Sequence, residues 1–149
     1  MKNIVIVDID GTISKVGDRI KYLQQSPKDW DSFYEDCFED EPIHEMVDLV
    51  KLLDQSYLLI FCTGRRESCR EKTIAWFNKH FIPEVIKYNP LLMRPDNDYR
   101  HDTEVKPELI RKYGHSFDDI AFVLEYRNSM VKKWRELGLI CLQVAEGDF

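Results

Sequence analysis

Two carboxylates, Asp8 and Asp10, stand two residues apart at the end of an apolar run, in the stretch IVIVDIDGTIS (residues 4–14). On an extended chain alternate side chains share a face, so both acids are expected on one side with Ile9 on the other. Two ionised acids held this close repel, and burying them is costly unless a proton or a cation offsets the charge. A hard divalent ion such as Mg2+, which prefers oxygen ligands, suits that demand. Asp-Gly alone is ordinary turn chemistry. Asp-x-Asp-Gly-Thr directly after a buried strand is more specific, because ligands in open α/β folds bind where parallel strands end.

Elements able to position such a pair recur along the chain. Apolar, β-branched runs at 3–9, 57–63, 119–125 and 139–145 predict four strands, and 84–93 has room for a further short one. Consecutive apolar positions are the mark of strands covered on both faces. Between them, amphipathic patterns predict helices over 42–53, 67–79, 105–113 and 128–137, the last closed by Gly138. The rhythm is that of βα units: a three-layer α/β/α Rossmann-like parallel sheet in one domain spanning 1–149.

Residues 14–41 break the rhythm. They carry Tyr22, Trp30, Phe33, Tyr34 and Phe38, enough apolar surface to fold over the sheet edge, followed by a strongly acidic half that includes Asp36, Glu39 and Asp40. This segment reads as a small helical lid, its aromatics forming lid core in preference to base-stacking platforms.

Composition narrows the setting. The chain has 149 residues, 44% of them hydrophobic, and a formal net charge of -6. No run approaches the roughly 18 apolar residues of a membrane span, and no signal-peptide core precedes the first strand, so a cytoplasmic protein with no membrane association is expected. Cys37, Cys62, Cys69 and Cys141 lack zinc-site spacing and are expected to be reduced thiols. The acidic balance offers no general attraction to a nucleic-acid backbone.

Asp8, Asp10, Gly11 and Thr12 resemble the first motif of the haloacid dehalogenase superfamily. The resemblance continues through Thr63-Gly64-Arg65 as second motif, Lys106 as third and Glu125 as the first acid of the fourth, with Tyr126 where a second acid usually stands. The segments MRPDNDYRHDTEVK and EYRNSMVKKWRELGLICLQVAEGDF are similar to the phosphatase half of phage-type polynucleotide kinase, while no GxxxxGK[ST] phosphate loop of a kinase half is present.

The resemblance implies a phosphomonoesterase with Asp8 as nucleophile, Asp10 as proton shuttle, and Thr63, Gly64 and Lys106 on the phosphoryl group. Mg2+ would be held by Asp8, Asp10 through its carbonyl, and Glu125. It also implies a phosphorylated nucleotide or nucleic-acid 3′ end as substrate; no partner protein is implied. Of Arg65, Arg66, Arg94 and Arg100, at least one is expected to touch substrate, with Arg65 and Arg100 as the candidates. A mononucleotide phosphatase and a phosphate-binding module weakened at the fourth motif are the alternatives. Taken alone, Thr63 could cap the next helix, Lys106 could be a surface lysine, and Tyr126 could be a helix-entry residue.

Overall fold

The computed structural model describes residues 1–148; Phe149, the last residue of the Gly-Asp-Phe ending, lies outside them. Strand β1 (Ile4–Val7) is buried throughout. The following excursion holds α1 (Lys21–Gln24) and α2 (Trp30–Glu35) with flanking 3-10 turns. Then come α3 (His44–Leu53), β2 (Leu58–Arg66), α4 (Arg70–His80), α5 (Pro83–Tyr88), β3 (Leu91–Arg94), α6 (Asp102–Tyr113), β4 (Ile120–Arg127), α7 (Asn128–Glu136) and β5 (Cys141–Gly147).

The strands form one parallel sheet in the order β3-β2-β1-β4-β5. The chain leaves β1 toward β2 on one side and leaves β4 toward β5 on the other, so a crevice opens between the carboxyl ends of β1 and β4. Alternation along β1 separates two cores. Val5 and Val7 pack with Phe61, Trp76, Phe77 and the excursion's Leu23, Phe33 and Tyr34. Ile4 and Ile6 pack with Ile110, Met130 and Trp134 from α6 and α7.

Local chemistry accounts for the differences from the expected elements. β1 stops at Val7, two residues short of the expected end, because Gly11 adopts φ +83° and the amides of Thr12, Ile13 and Ser14 all donate to the Ile9 carbonyl. The spacing of the two aspartates is therefore set by a turn and not by the pleat. α5 was not expected; Pro83 starts it with a preset φ. α6 begins at Asp102 and not Val105, since the His101 ring accepts a hydrogen bond from the Thr103 amide. Gly138, at φ +86°, follows α7 as expected.

The excursion is stitched down at its ends. Ser14 and Pro42 form an antiparallel bridge, the Lys15 amide donates to Glu41 O at 2.8 Å, and the Ile43 amide donates to Ile13 O at 2.8 Å. Trp30 stacks on Tyr34 with centroids 5.9 Å apart. The lid is thus a docked cover whose Phe33 and Tyr34 belong to the core. Among the described residues no helix is long and apolar enough to cross a membrane, and all four cysteines are buried and free.

Candidate active site

Asp8 leaves β1 at the crevice, its amide donating to Leu124 O at 3.0 Å. Its carboxylate is buried; Oδ1 accepts from Lys106 Nζ at 2.7 Å and Oδ2 from Thr12 Oγ1 at 2.8 Å. Lys106 reaches in from the first turns of α6 and donates also to Glu125 Oε2 at 3.0 Å. Glu125, on β4, accepts further from its neighbour's amide (Tyr126 N to Oε1, 3.0 Å) and from Trp134 Nε1 at 3.3 Å. Burial, then the Glu125 charge, pushes the Asp8 carboxyl well up, against the pull of Lys106. Burial works against the charged form of Lys106, but Asp8 and Glu125 outweigh it and hold the ammonium charged.

Asp10 turns to other cations. Arg65 grips it with Nε to Oδ2 at 3.0 Å and Nη2 to Oδ1 at 2.7 Å, and Arg19 Nη2 donates to Oδ1 at 2.7 Å. Burial works to raise the Asp10 carboxyl, yet Arg65 and Arg19 outweigh it and hold it far below the usual carboxylate range. Arg65 is fully buried, with Nη1 on Thr73 Oγ1 at 3.1 Å. The guanidinium expected on a phosphate therefore lies on Asp10. Asp40, counted in the sequence among the lid's acidic field, is also inside: it accepts from Arg19 Nε at 2.8 Å and from Ser14 Oγ at 3.0 Å, because the two guanidiniums need a second counter-ion. Substituting Arg65→Lys keeps the charge but removes the two-pronged hold.

A third group closes the crevice. Asp102 starts α6 and pairs with Arg94 and, at 3.0 Å, with Arg127 Nη1. It lies so close over Gly64 that a Cβ there would stand 2.5 Å from its Oδ1. Arg94 also donates from Nε to Gly64 O at 3.0 Å, which fastens β2 to β3 at this point. Asp8, Asp10, Gly64, Lys106 and Glu125 line one small pocket together with the lid's Trp30, Phe33 and Tyr34. Thr63 is buried beside it and accepts from the Arg65 amide at 3.1 Å. Arg100 stands apart from this pocket, paired to Asp98 at 2.7 Å and Glu108 at 2.6 Å.

Arg19, Asp40, Asp102 and Arg127 were not legible as site residues. Asp102 had a usable signal, since it precedes Lys106 by four positions on one helical face. Arg19 had none.

Charge is balanced across this crevice. Five carboxylates (Asp8, Asp10, Asp40, Asp102, Glu125) are cross-paired with five cations (Arg19, Arg65, Arg94, Lys106, Arg127). The balance is uneven locally, because Asp8 and Glu125 share the single ammonium of Lys106. Two hard oxygen acids short of positive charge form a donor set that fits a divalent cation such as Mg2+. Tyr126 contributes no acid to it. Its ring lies against Gly11 and Gly147, where an added Cβ would collide with it, so it wedges the turn that follows Asp10.

Known proteins resemble this chain in family and in fold. Residues 2–149 match the family described as the polynucleotide kinase PNKP phosphatase domain. Among solved structures, a chain of the Pnkp1/Rnl/Hen1 RNA repair complex is 33% identical, with a TM-score of 0.81 over 99% of this chain. This chain spans 44% of that longer one. A Clostridium difficile protein named as a phosphatase shares the fold at 12% identity, with a TM-score of 0.67 over 99% of this chain and 87% of its own. The magnesium-bound hydrolase YfnB of Bacillus subtilis, named for the haloacid dehalogenase group, does so at 11% identity, with a TM-score of 0.61 over 97% of this chain and 93% of its own.

Proposed function

The chain belongs to the polynucleotide kinase PNKP phosphatase-domain family of haloacid dehalogenase phosphatases, and from that premise we propose that it is a Mg2+-dependent phosphomonoesterase acting through an aspartyl-phosphate on the 3′-phosphate of a nucleic-acid end or nucleotide. The observation that carries this is Asp8: a buried carboxylate held by Lys106 and Thr12 at the floor of a pocket opening between β1 and β4. The relative in an RNA repair complex supports a nucleic-acid end as substrate.

In this reading one Asp8 oxygen attacks phosphorus, the bond from phosphorus to the ester oxygen breaks, and the phosphoryl group rests on Asp8. Lys106 and the Gly64 amide meet the phosphoryl oxygens. Asp10 gives a proton to the departing alkoxide, then takes one from the water that attacks phosphorus and releases inorganic phosphate from Asp8. Asp8, the Asp10 carbonyl and Glu125 would hold Mg2+, which when bound would supply the positive charge that a phosphate dianion needs in a site already neutral by pairing. The single domain over 1–149 and a reaction in the cytoplasm belong to the same proposal.

Arg65 and Arg19 favour the ionised form of Asp10, which suits its second, proton-accepting role; for the first role Asp10 must enter the reaction protonated, a form favoured by the substrate dianion arriving beside it, and this makes protonation of the leaving group the demanding step. An aryl phosphate needs no such proton. Asp10→Asn is therefore expected to slow a nucleoside 3′-phosphate at least about 10-fold more than an aryl phosphate, within the usual size of acid catalysis. Equal losses on the two esters would remove Asp10 from the acid role.

The function itself is tested by phosphate release from 3′-phosphorylated oligonucleotides, 3′- and 5′-mononucleotides and sugar phosphates, with Mg2+ and after chelation. The 3′ compounds should show the highest kcat/KM, and chelation should abolish turnover. Activity that survives chelation would remove the metal. Tyr126→Asp restores a second acid near the Asp8 and Glu125 pair and is expected to lower the Mg2+ concentration for half-maximal activity by roughly 10-fold or more. An unchanged or higher requirement would mean that wedging the Gly11 turn outweighs the added charge.

A further inference from the structure

A second cavity of about 280 Å³ continues outward from the nucleophile pocket, sharing Trp30, Tyr34, Asp102 and Arg127 with its lining. Its outer wall is Tyr99, 78% exposed on the loop between β3 and α6. Such exposure of a large ring at a cleft mouth gains nothing for the core. Arg66 lies between two rings, 5.8 Å from that of Tyr34 and 5.6 Å from that of Tyr99, and Arg127 lies 5.7 Å from that of Trp30.

The cations here are mostly compensated: Arg94 and Arg127 by Asp102, Arg100 by Asp98 and Glu108, Arg66 by Asp31. A cleft whose charges are already paired is poorly suited to tracking a run of phosphates. What it offers is flat aromatic and guanidinium surface, which stacks on any nucleobase. Its volume is near the lower end of the roughly 300 to 1,000 Å³ usual for small-molecule sites.

We propose that this cleft is a seat for one nucleobase, that of the nucleotide bearing the phosphate to be removed, with Tyr99 as its outer stacking face. The proposal rests on the phosphatase reading above and adds to it that selectivity lies in the terminal nucleoside and not in the upstream backbone. The lid aromatics Trp30 and Tyr34 then serve both as lid core and as the inner wall of the seat.

The test compares thymidine 3′-phosphate with the 3′-phosphate of an abasic deoxyribose analogue, in the wild type, Tyr99→Ala and Tyr99→Phe, all with Mg2+. Tyr99→Ala is expected to lower the kcat/KM ratio of nucleotide to abasic compound by about 5- to 30-fold, mainly through KM of the nucleotide, as the loss of one stacking partner implies. Tyr99→Phe keeps the ring and should keep the ratio. A ratio unmoved in Tyr99→Ala, or lowered equally in Tyr99→Phe, overturns the base seat while leaving the phosphatase intact. Failure of the wild type to hydrolyse either compound is a failure of the phosphatase reading instead. The seat is then read directly by quenching of tryptophan fluorescence on adding thymidine 3′-phosphate: quenching retained in Tyr99→Phe and weakened in Tyr99→Ala supports it, and no quenching, or equal quenching in all three proteins, overturns it.

Discussion

Replacing Asp8 by Asn is expected to abolish phosphate release, by roughly 10⁴-fold or more, without unfolding the protein. The amide is close in size but cannot form the acyl phosphate, and loss of a covalent nucleophile is among the largest single effects in enzyme kinetics. The stability half of the expectation follows from the surroundings of Asp8. Burial and the nearby Glu125 push its carboxyl up, so the ionised form costs folding free energy at neutral pH. The substituted amide would carry no charge, and its oxygen could still accept from Lys106. The variant should therefore melt no lower than the wild type, the pattern of a site that trades stability for function. Phosphate-release assays and thermal melts on the same preparation decide this; turnover near the wild-type rate would remove Asp8 as the nucleophile.

Replacing Lys106 by Met is expected to damage both activity and fold. The Lys106 side chain is 3% exposed and its two partners, Asp8 and Glu125, are 6% and 2% exposed. Met fills much of the stem's space but leaves two buried carboxylates facing each other with no cation between them. Breaking a buried pair in this way costs roughly 3 to 5 kcal/mol, which in a chain of this size lowers Tm by roughly 6 to 20 °C. Activity should fall by at least roughly 10²-fold, the scale for losing one charge stabiliser in a dry site.

Two controls separate this mechanism from simple misfolding. Asp8→Asn combined with Lys106→Met removes one of the stranded charges and should recover part of the lost Tm, a non-additivity expected only of groups in contact. The deficit should also depend on pH. Asp8 titrates above its unfolded value, so its protonated form is favoured in the fold; the Lys106→Met deficit should shrink as pH falls and Asp8 takes a proton, and grow as pH rises. Strictly additive losses, or a deficit independent of pH, would show that the Lys106 ammonium does not compensate these acids.

The amino-acid sequence by itself determined the βα alternation, the central strand and the acidic turn. These are local properties: four consecutive buried residues in β1, a glycine at positive φ three residues after Asp8, and apolar runs of strand length between amphipathic ones. Ends of elements were less legible where one side chain or one turn decides them, as His101 does for α6 and Gly11 for β1. Asp8, Asp10 and Glu125 stood out in the sequence because an acid at the mouth of a buried strand has little structural purpose, while Gly64 and Lys106 were picked out through the family resemblance of the motifs that hold them.

Which charge meets which was decided only in three dimensions. Asp8 and Asp10 look like a matched pair in sequence, yet Asp8 takes a lysine 98 positions away and Asp10 an arginine 55 positions away. Arg65 looked like a phosphate ligand and became the holder of Asp10, while Asp40 looked like part of a solvated acidic face and became a buried counter-ion. The sign of a side chain is written in the sequence, but the energy of a charge depends on distance and burial. Both are set by the strand order β3-β2-β1-β4-β5, which brings the ends of β1, β2 and β4 and the start of α6 to one crevice.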